Sequence, residues 1–212
     1  MHIPDGILSA PVCLAGYAVT SASVWYSLKK IKKQENYKGE IPKVSLVTAV
    51  FFVASLISVP IPPASVHLVL TGTLGILLGI YAMPAILVTL FLQAVMFHHG
   101  GLTTLGVNAV ILGIPAVVCS ILYRVLYNIS GNKVVNKIIS FMTGFLGVCL
   151  SILLFSLIII LFLPEGVDAT AERNAVIALV IAHIPLMLIE GVFTVFLVEF
   201  LEKTKPEILG ER

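Results

Sequence analysis

Long apolar runs, broken by short polar or proline-rich stretches, cover most of the 212 residues. A helix that crosses a bilayer needs about 20 mostly apolar residues. Runs of this kind fall at residues 9–28, 44–59, 66–82, 84–97, 107–127, 138–163 and 174–201. The pattern predicts an all-α integral membrane protein, a single bundle of about seven transmembrane helices. Residues 1–8 precede the bundle, 9–201 form it, and 202–212 make a short tail. The third and fourth runs are short and are parted only at Met83-Pro84, so they read either as two helices or as one broken element.

Composition agrees with the pattern. The chain is 58% hydrophobic and 11% charged, with a mean hydropathy of +1.07, whereas a soluble domain carries about 25% charged residues. Cys13, Cys119 and Cys149 are widely spaced inside apolar runs, with no CxxC. An odd count in such places argues against a disulfide framework or a zinc site. They read as small buried hydrophobes.

Charge gives the direction of threading. Asp5 precedes the first run, and Lys29, Lys30, Lys32 and Lys33 follow it. That order predicts no cleavable signal peptide and an outside N-terminus. Seven crossings then put residues 29–43, 124–137 and the tail from 203 in the cytoplasm. Those segments hold twelve of the thirteen Lys and Arg residues, and only Arg173 falls outside. The outer segment 164–173 carries Glu165, Asp168 and Glu172 instead. Counting 66–97 as one crossing would invert every later loop. The net charge of +2 is placed by topology, and nucleic acid is not an expected partner.

Small residues mark two helix faces, Gly72, Gly75 and Gly79 on the third and Gly144 and Gly147 on the sixth. They predict close backbone approach inside the bundle, or a docking face for another membrane subunit.

The chemistry-bearing residues gather on the predicted outer side. Met1-His2-Ile3-Pro4-Asp5-Gly6 is a chelator in miniature. The Met1 α-amine, the His2 amide nitrogen and the His2 imidazole can close two fused rings on one ion. A fourth nitrogen would complete a square, a geometry that suits Ni²⁺ or Cu²⁺. His67 opens an apolar run and needs a partner there. It reads either as a histidine bonded to its own helix start or loop, or as that fourth nitrogen. The outer side also receives His98-His99-Gly100-Gly101, whose glycines predict a chain reversal or re-entrant segment. Asp5, Gln93, His98, His99, Thr103, Thr104 and Asn108 are candidates to orient the ligands or satisfy the loop backbone. His183, Pro185 and Glu190 lie on the last helix. Glu190 falls near mid-membrane, where an ionisable group marks a functional site by default; a protonated carboxyl bonded to a neighbouring helix is the plainer reading. No phosphate-binding loop, HExxH or GxSxG motif is present, so the chain does not hydrolyse ATP itself and no catalytic residue is expected.

Three blocks, Met1-His2-Ile3-Pro4-Asp5-Gly6, Val66-His67-Leu68-Val69-Leu70 and Gly100-Gly101-Leu102-Thr103-Thr104-Leu105-Gly106-Val107-Asn108, resemble the signature blocks of the CbiM/NikM family. Ile184-Pro185-Leu186 and Glu190-Gly191 are similar to the family's last helix. These are the substrate-binding components of energy-coupling-factor transporters for cobalt and nickel. The resemblance implies a seven-helix bundle whose amino terminus tucks in from outside. It implies Co²⁺ or Ni²⁺ as transported substrate, held by the Met1 amine, the His2 amide and imidazole, and the His67 imidazole, with no organic cofactor. It also implies a transmembrane coupling subunit, two cytoplasmic ATPase subunits and a small accessory membrane subunit, in a prokaryotic cell membrane. The histidine at position 98 departs from the family pattern.

Two other classes compete. A membrane metalloenzyme would need a general base beside the metal and an open coordination position, and Asp5 is the only nearby carboxylate. A scaffold that binds no solute would tolerate loss of His2 and His67. Between the two metals, the motifs are shared; cobalt, supplying cobalamin synthesis, is favoured, with nickel the alternative.

Overall fold

Seven α-helices make up most of the described residues of the structure, a computed structural model that describes residues 2–61, 64–130, 132–162 and 169–209. They are α1 (Ala10–Ile31), α2 (Tyr37–Ser55), α3 (Thr71–Leu78), α4 (Ala82–Phe97), α5 (Leu105–Ser130), α6 (Lys133–Leu161) and α7 (Ala169–Thr204). Between α2 and α3 lies a departure from the predicted pattern. β1 (Ser58–Ile61) and β2 (Ala64–His67) pair antiparallel, with Ser58 opposite His67. The helical run expected to reach residue 59 stops at Ser55, and the one expected from residue 66 starts at Thr71. The sequence supplies the reason. Pro60, Pro62 and Pro63 lack the N–H that a helix needs and bias the preceding residue toward extended backbone.

Among the described residues, four stretches are long and apolar enough to cross a membrane: Thr71–Phe97, Leu105–Tyr127, Lys133–Leu161 and Arg173–Thr204. Large apolar side chains such as Leu46, Val50 and Val53 on α2 and Ile177, Ile181 and Ile184 on α7 face outward. An apolar exterior of this extent belongs in lipid rather than water. The structure is that of an α-helical membrane protein.

The stretch from Thr71 to Phe97 is not one straight rod. It breaks at a 3-10 turn, Gly79–Tyr81, where Gly79 has φ +57°. An L side chain is strained at that angle, and a Cβ would also overlap the Arg124 guanidinium. α3 packs on α5 and α6, whereas α4 packs on α5 and α2. His67, before α3, and His99, after α4, have rings 5.4 Å apart. The stretch therefore bends back so that both of its ends reach one place.

Glycines set the helix contacts that hold this arrangement. A Cβ on Gly72 would overlap the Thr143 carbonyl of α6, and one on Gly75 would overlap the Ala116 carbonyl of α5. Gly144 meets α7 at Thr194 and the Glu190 carbonyl. These faces pack inside the bundle. α1 crosses α5 just as closely: a Cβ on Gly16 would sit 2.7 Å from Val107 N, and one on Gly106 would sit 2.5 Å from Tyr17 N. Thr20 Oγ1 donates to Gly106 O at 2.7 Å. This crossing delivers the residues ahead of α1 to the loop between α4 and α5.

Candidate metal centre

The segment before α1 is tied down residue by residue. Ile3, 1% exposed, donates its N–H to Asn108 Oδ1 at 2.9 Å, and Asn108 Nδ2 donates back to Ile3 O at 3.0 Å. Thr104 Oγ1 donates to the same carbonyl at 2.6 Å. Two residues on, Asp5 accepts from Leu102 N at 3.1 Å, from Thr103 N at 2.8 Å and from Thr103 Oγ1 at 2.5 Å. The Thr103 hydroxyl and these backbone N–H groups hold the Asp5 carboxyl below its ordinary range. Asp5 is thereby occupied in fastening the segment to the turn ahead of α5, a place where a carboxylate also suits the helix dipole.

The glycine pair makes that approach sterically possible. Gly100 has φ +84° and faces His2; a Cβ there would lie 3.4 Å from His2 Cβ. A Cβ on Gly101 would overlap the Asp5 carboxylate and lie 2.6 Å from Asp5 N. The loop at 98–104 is a chain reversal, as the Gly-Gly step predicts. It begins at His98, which caps α4 in the left-handed region with φ 52° and is exposed. The N–H groups of His98 and His99 both turn back to Gln93 O. The Gln93 side chain donates to Ser55 Oγ on α2.

Fastening the segment places His2 between two other imidazoles. The His2 and His67 rings stack, with centroids 5.1 Å apart and planes at 28°. His99 stands edge-on to both, 4.7 Å from His2 and 5.4 Å from His67. One nitrogen from each of the three lies within 4.8 Å of the others. Both His2 ring nitrogens are buried without a hydrogen-bond partner among the described residues. A buried polar atom left so costs about 1–3 kcal/mol, and a cation among the three rings would remove that cost. His67 is 8% exposed, and its Nδ1 donates to Leu68 O at 3.1 Å. That bond fixes the tautomer in which Nε2 carries the lone pair.

Electrostatics favours neutral rings. Burial drives the His2 imidazole well below its ordinary value and lowers His67 to about 3; it lowers His99 as well. Neutral imidazole is the metal-binding form. The arrangement is suited to holding a transition-metal cation through nitrogen.

Most of the predicted residues meet here, in different roles. His2 and His67 converge; Met1 lies outside the described residues. His99, expected only to support the ligands, joins the cluster itself. Asp5, Thr103, Thr104 and Asn108 secure the segment, while His98 and Gln93 shape the end of α4. His183 donates from Nδ1 to Leu179 O at 2.8 Å within its own helix. Glu190 on α7, 0% exposed, is bonded to another element, the plainer of its two readings from sequence, with a partner the sequence did not name. Its Oε1 accepts from Val69 N at 2.5 Å and its Oε2 from Leu70 N at 2.8 Å. The signal was present, an ionisable residue in an apolar helix, but the partner lies more than a hundred residues away.

Relatives carry metal-transport names. The chain is 31% identical over 210 residues to a metal transport protein of Haemophilus influenzae, covering 99% of this chain and 97% of that one. It is 39% identical over 110 residues to the fused nickel transport protein NikMN of Rhodobacter capsulatus, covering 51% of this chain and 31% of that one. The crystal structure of a transition metal transporter superposes with a TM-score of 0.73 at 25% identity, covering 98% of this chain and 95% of that one. A family model described as the cobalt uptake substrate-specific transmembrane region, CbiM, matches residues 2–208, and this chain belongs to that family of cobalt and nickel transport membrane proteins.

Proposed function

We propose that this chain is the substrate-capture subunit of an ATP-driven energy-coupling-factor importer, taking up Co²⁺ or Ni²⁺ across a prokaryotic cell membrane. The observation that carries the reading is the convergence of His2, His67 and His99 within 4.8 Å. The ligands are the Met1 α-amine, the His2 amide nitrogen and imidazole, and the His67 imidazole, with His99 as a further donor. Asn108 and Asp5 lock the segment that carries the first three. A near-planar nitrogen set disfavours Zn²⁺, which prefers a tetrahedron. A fifth nitrogen moves the site away from the strict square plane that most suits a d⁸ ion, which supports cobalt over nickel. The bundle crosses the membrane seven times, α3 and α4 each counting once, with its N-terminus outside. A coupling subunit, two cytoplasmic ATPases and a small accessory membrane subunit complete the importer, and the chain itself performs no chemistry.

The test uses purified full-length protein starting at Met1 and a variant with one residue added before it. Metal content after incubation with Co²⁺ or Ni²⁺ is measured by mass spectrometry. The added residue is expected to abolish binding while the thermal transition in detergent is unchanged. Undiminished binding in the extended protein would overturn the amine as a ligand, and undiminished binding in His67→Ala would overturn the site.

A further inference from the structure

We propose that Glu190 is a positioning residue for His67, acting through the single peptide group that joins Leu68 to Val69. This rests on the capture reading above. The chain of contacts is continuous. Glu190 Oε1 accepts the Val69 N–H at 2.5 Å, and the carbonyl of that same peptide, Leu68 O, accepts from His67 Nδ1 at 3.1 Å. A carboxylate drawing on the N–H end of a peptide polarises its C=O end, which then accepts more strongly. Metal-binding histidines commonly donate their second nitrogen to a carboxylate, which fixes ring orientation and raises basicity. Here the carboxylate delivers the same influence with one peptide interposed.

The rest of the geometry supports the assignment. Glu190 Oε2 accepts the next N–H, Leu70, at 2.8 Å, so both oxygens act as acceptors on the turn that follows His67. Leu70 is left-handed, φ 51°, a conformation that a non-glycine residue keeps only when its surroundings hold it. α3 begins one residue later. Glu190 is itself immobilised, because its backbone carbonyl accepts from Thr194 Oγ1, which also bonds Thr73 Oγ1 of α3. The carboxylate therefore fixes the turn, the peptide and the tautomer together. It leaves the lone pair on His67 Nε2, in a ring that lies beside those of His2 and His99.

The experiment compares the full-length protein with Glu190→Gln, Glu190→Asp and His67→Ala, each purified in detergent, with Co²⁺ as the probe. Glutamine offers one oxygen and sets an N–H₂ donor against the second backbone N–H. We expect Co²⁺ affinity to fall 10- to 100-fold, the range for removal of a ligand's supporting partner, and Glu190→Asp to recover part of it. In metal-free protein labelled with ¹⁵N-histidine, the His67 signal, assigned by its loss in His67→Ala, should show the Nδ1–H tautomer. Glu190→Gln should shift it toward Nε2–H. Parental affinity and an unmoved tautomer in Glu190→Gln, with binding lost in His67→Ala, would overturn the positioning role alone. If Glu190→Gln does not fold, the parent protein decides: an Nε2–H tautomer at His67 overturns the proposal, and Nδ1–H supports it.

Discussion

Asn108 grips Ile3 by both of its backbone polar groups, accepting its N–H at 2.9 Å and donating to its C=O at 3.0 Å. One side-chain amide thus does what a neighbouring strand would do, at a residue 1% exposed. Removing that amide strands the buried Ile3 N–H, at a cost of about 1–3 kcal/mol, and leaves the Ile3 carbonyl to Thr104 Oγ1. Asn108→Ala is expected to release the segment that carries His2 and to cut Co²⁺ or Ni²⁺ affinity at least tenfold. The bundle should persist, because α1 still crosses α5 at Gly16 and Gly106. Calorimetric titration alongside far-ultraviolet circular dichroism separates the two effects.

Gly101→Ala attacks the same junction from the other side. Its new methyl would overlap the Asp5 carboxylate and crowd Asp5 N, so the segment must withdraw. Gly6→Ala is the control: nothing lies within 4 Å of its Cβ, and only the φ of +86° resists, at a cost of about 1 kcal/mol. Gly101→Ala should therefore lose metal binding, and Gly6→Ala should retain most of it. Metal content of the two purified variants provides the comparison.

Several of these residues were visible in the sequence, because polar groups in an apolar chain have few innocent uses. His2, His67, Asp5 and Asn108 stood out for that reason, and so did the tight faces at Gly72 and Gly144. Three features were hidden. The strand pair Ser58–Ile61 and Ala64–His67 replaces predicted helix ends because prolines outweigh hydropathy there. His99 and His98 are chemically identical neighbours; the structure puts His98 at the left-handed cap of α4 and His99 among the rings, a difference no local pattern shows. The tie from Glu190 to Val69 spans 121 positions, beyond any local pattern.

Acid should loosen the centre before it unfolds the bundle. His67 has an ordinary value of 6.5 and is lowered by burial to about 3 in the folded protein. Between those values the unfolded chain binds a proton that the folded chain does not, so stability rises with pH across that window. In the metal-free protein, the part of the stability that comes from a neutral buried His67 is complete above pH 6.5. It is lost progressively as pH falls from 6.5 toward 3. Asp5 has the same sign at lower pH: its carboxyl is lowered from 3.8, so its contribution is present above that value and fades below it. His67→Phe should flatten the pH dependence of the melting temperature between 6.5 and 3. An identical slope in parent and variant would refute the assignment.

His98 and His99 should behave differently when each is replaced by alanine. His98 is exposed and does its work through backbone conformation, a left-handed cap that alanine tolerates poorly, at a cost of about 1–2 kcal/mol. His98→Asn keeps that conformation accessible and should leave metal binding unchanged. His99 contributes an imidazole edge-on to both His2 and His67, so His99→Ala removes a nitrogen from the cluster. In the proposed ligand set, the four nitrogens that remain would lie in a plane, which suits Ni²⁺ better than Co²⁺. His99→Ala should therefore weaken Co²⁺ more than Ni²⁺ and shift the ratio of the two affinities toward nickel by several-fold. Competition titrations with both ions on the same preparation measure that ratio directly. Equal weakening of both would mean that His99 acts as a gate or a support and not as a donor.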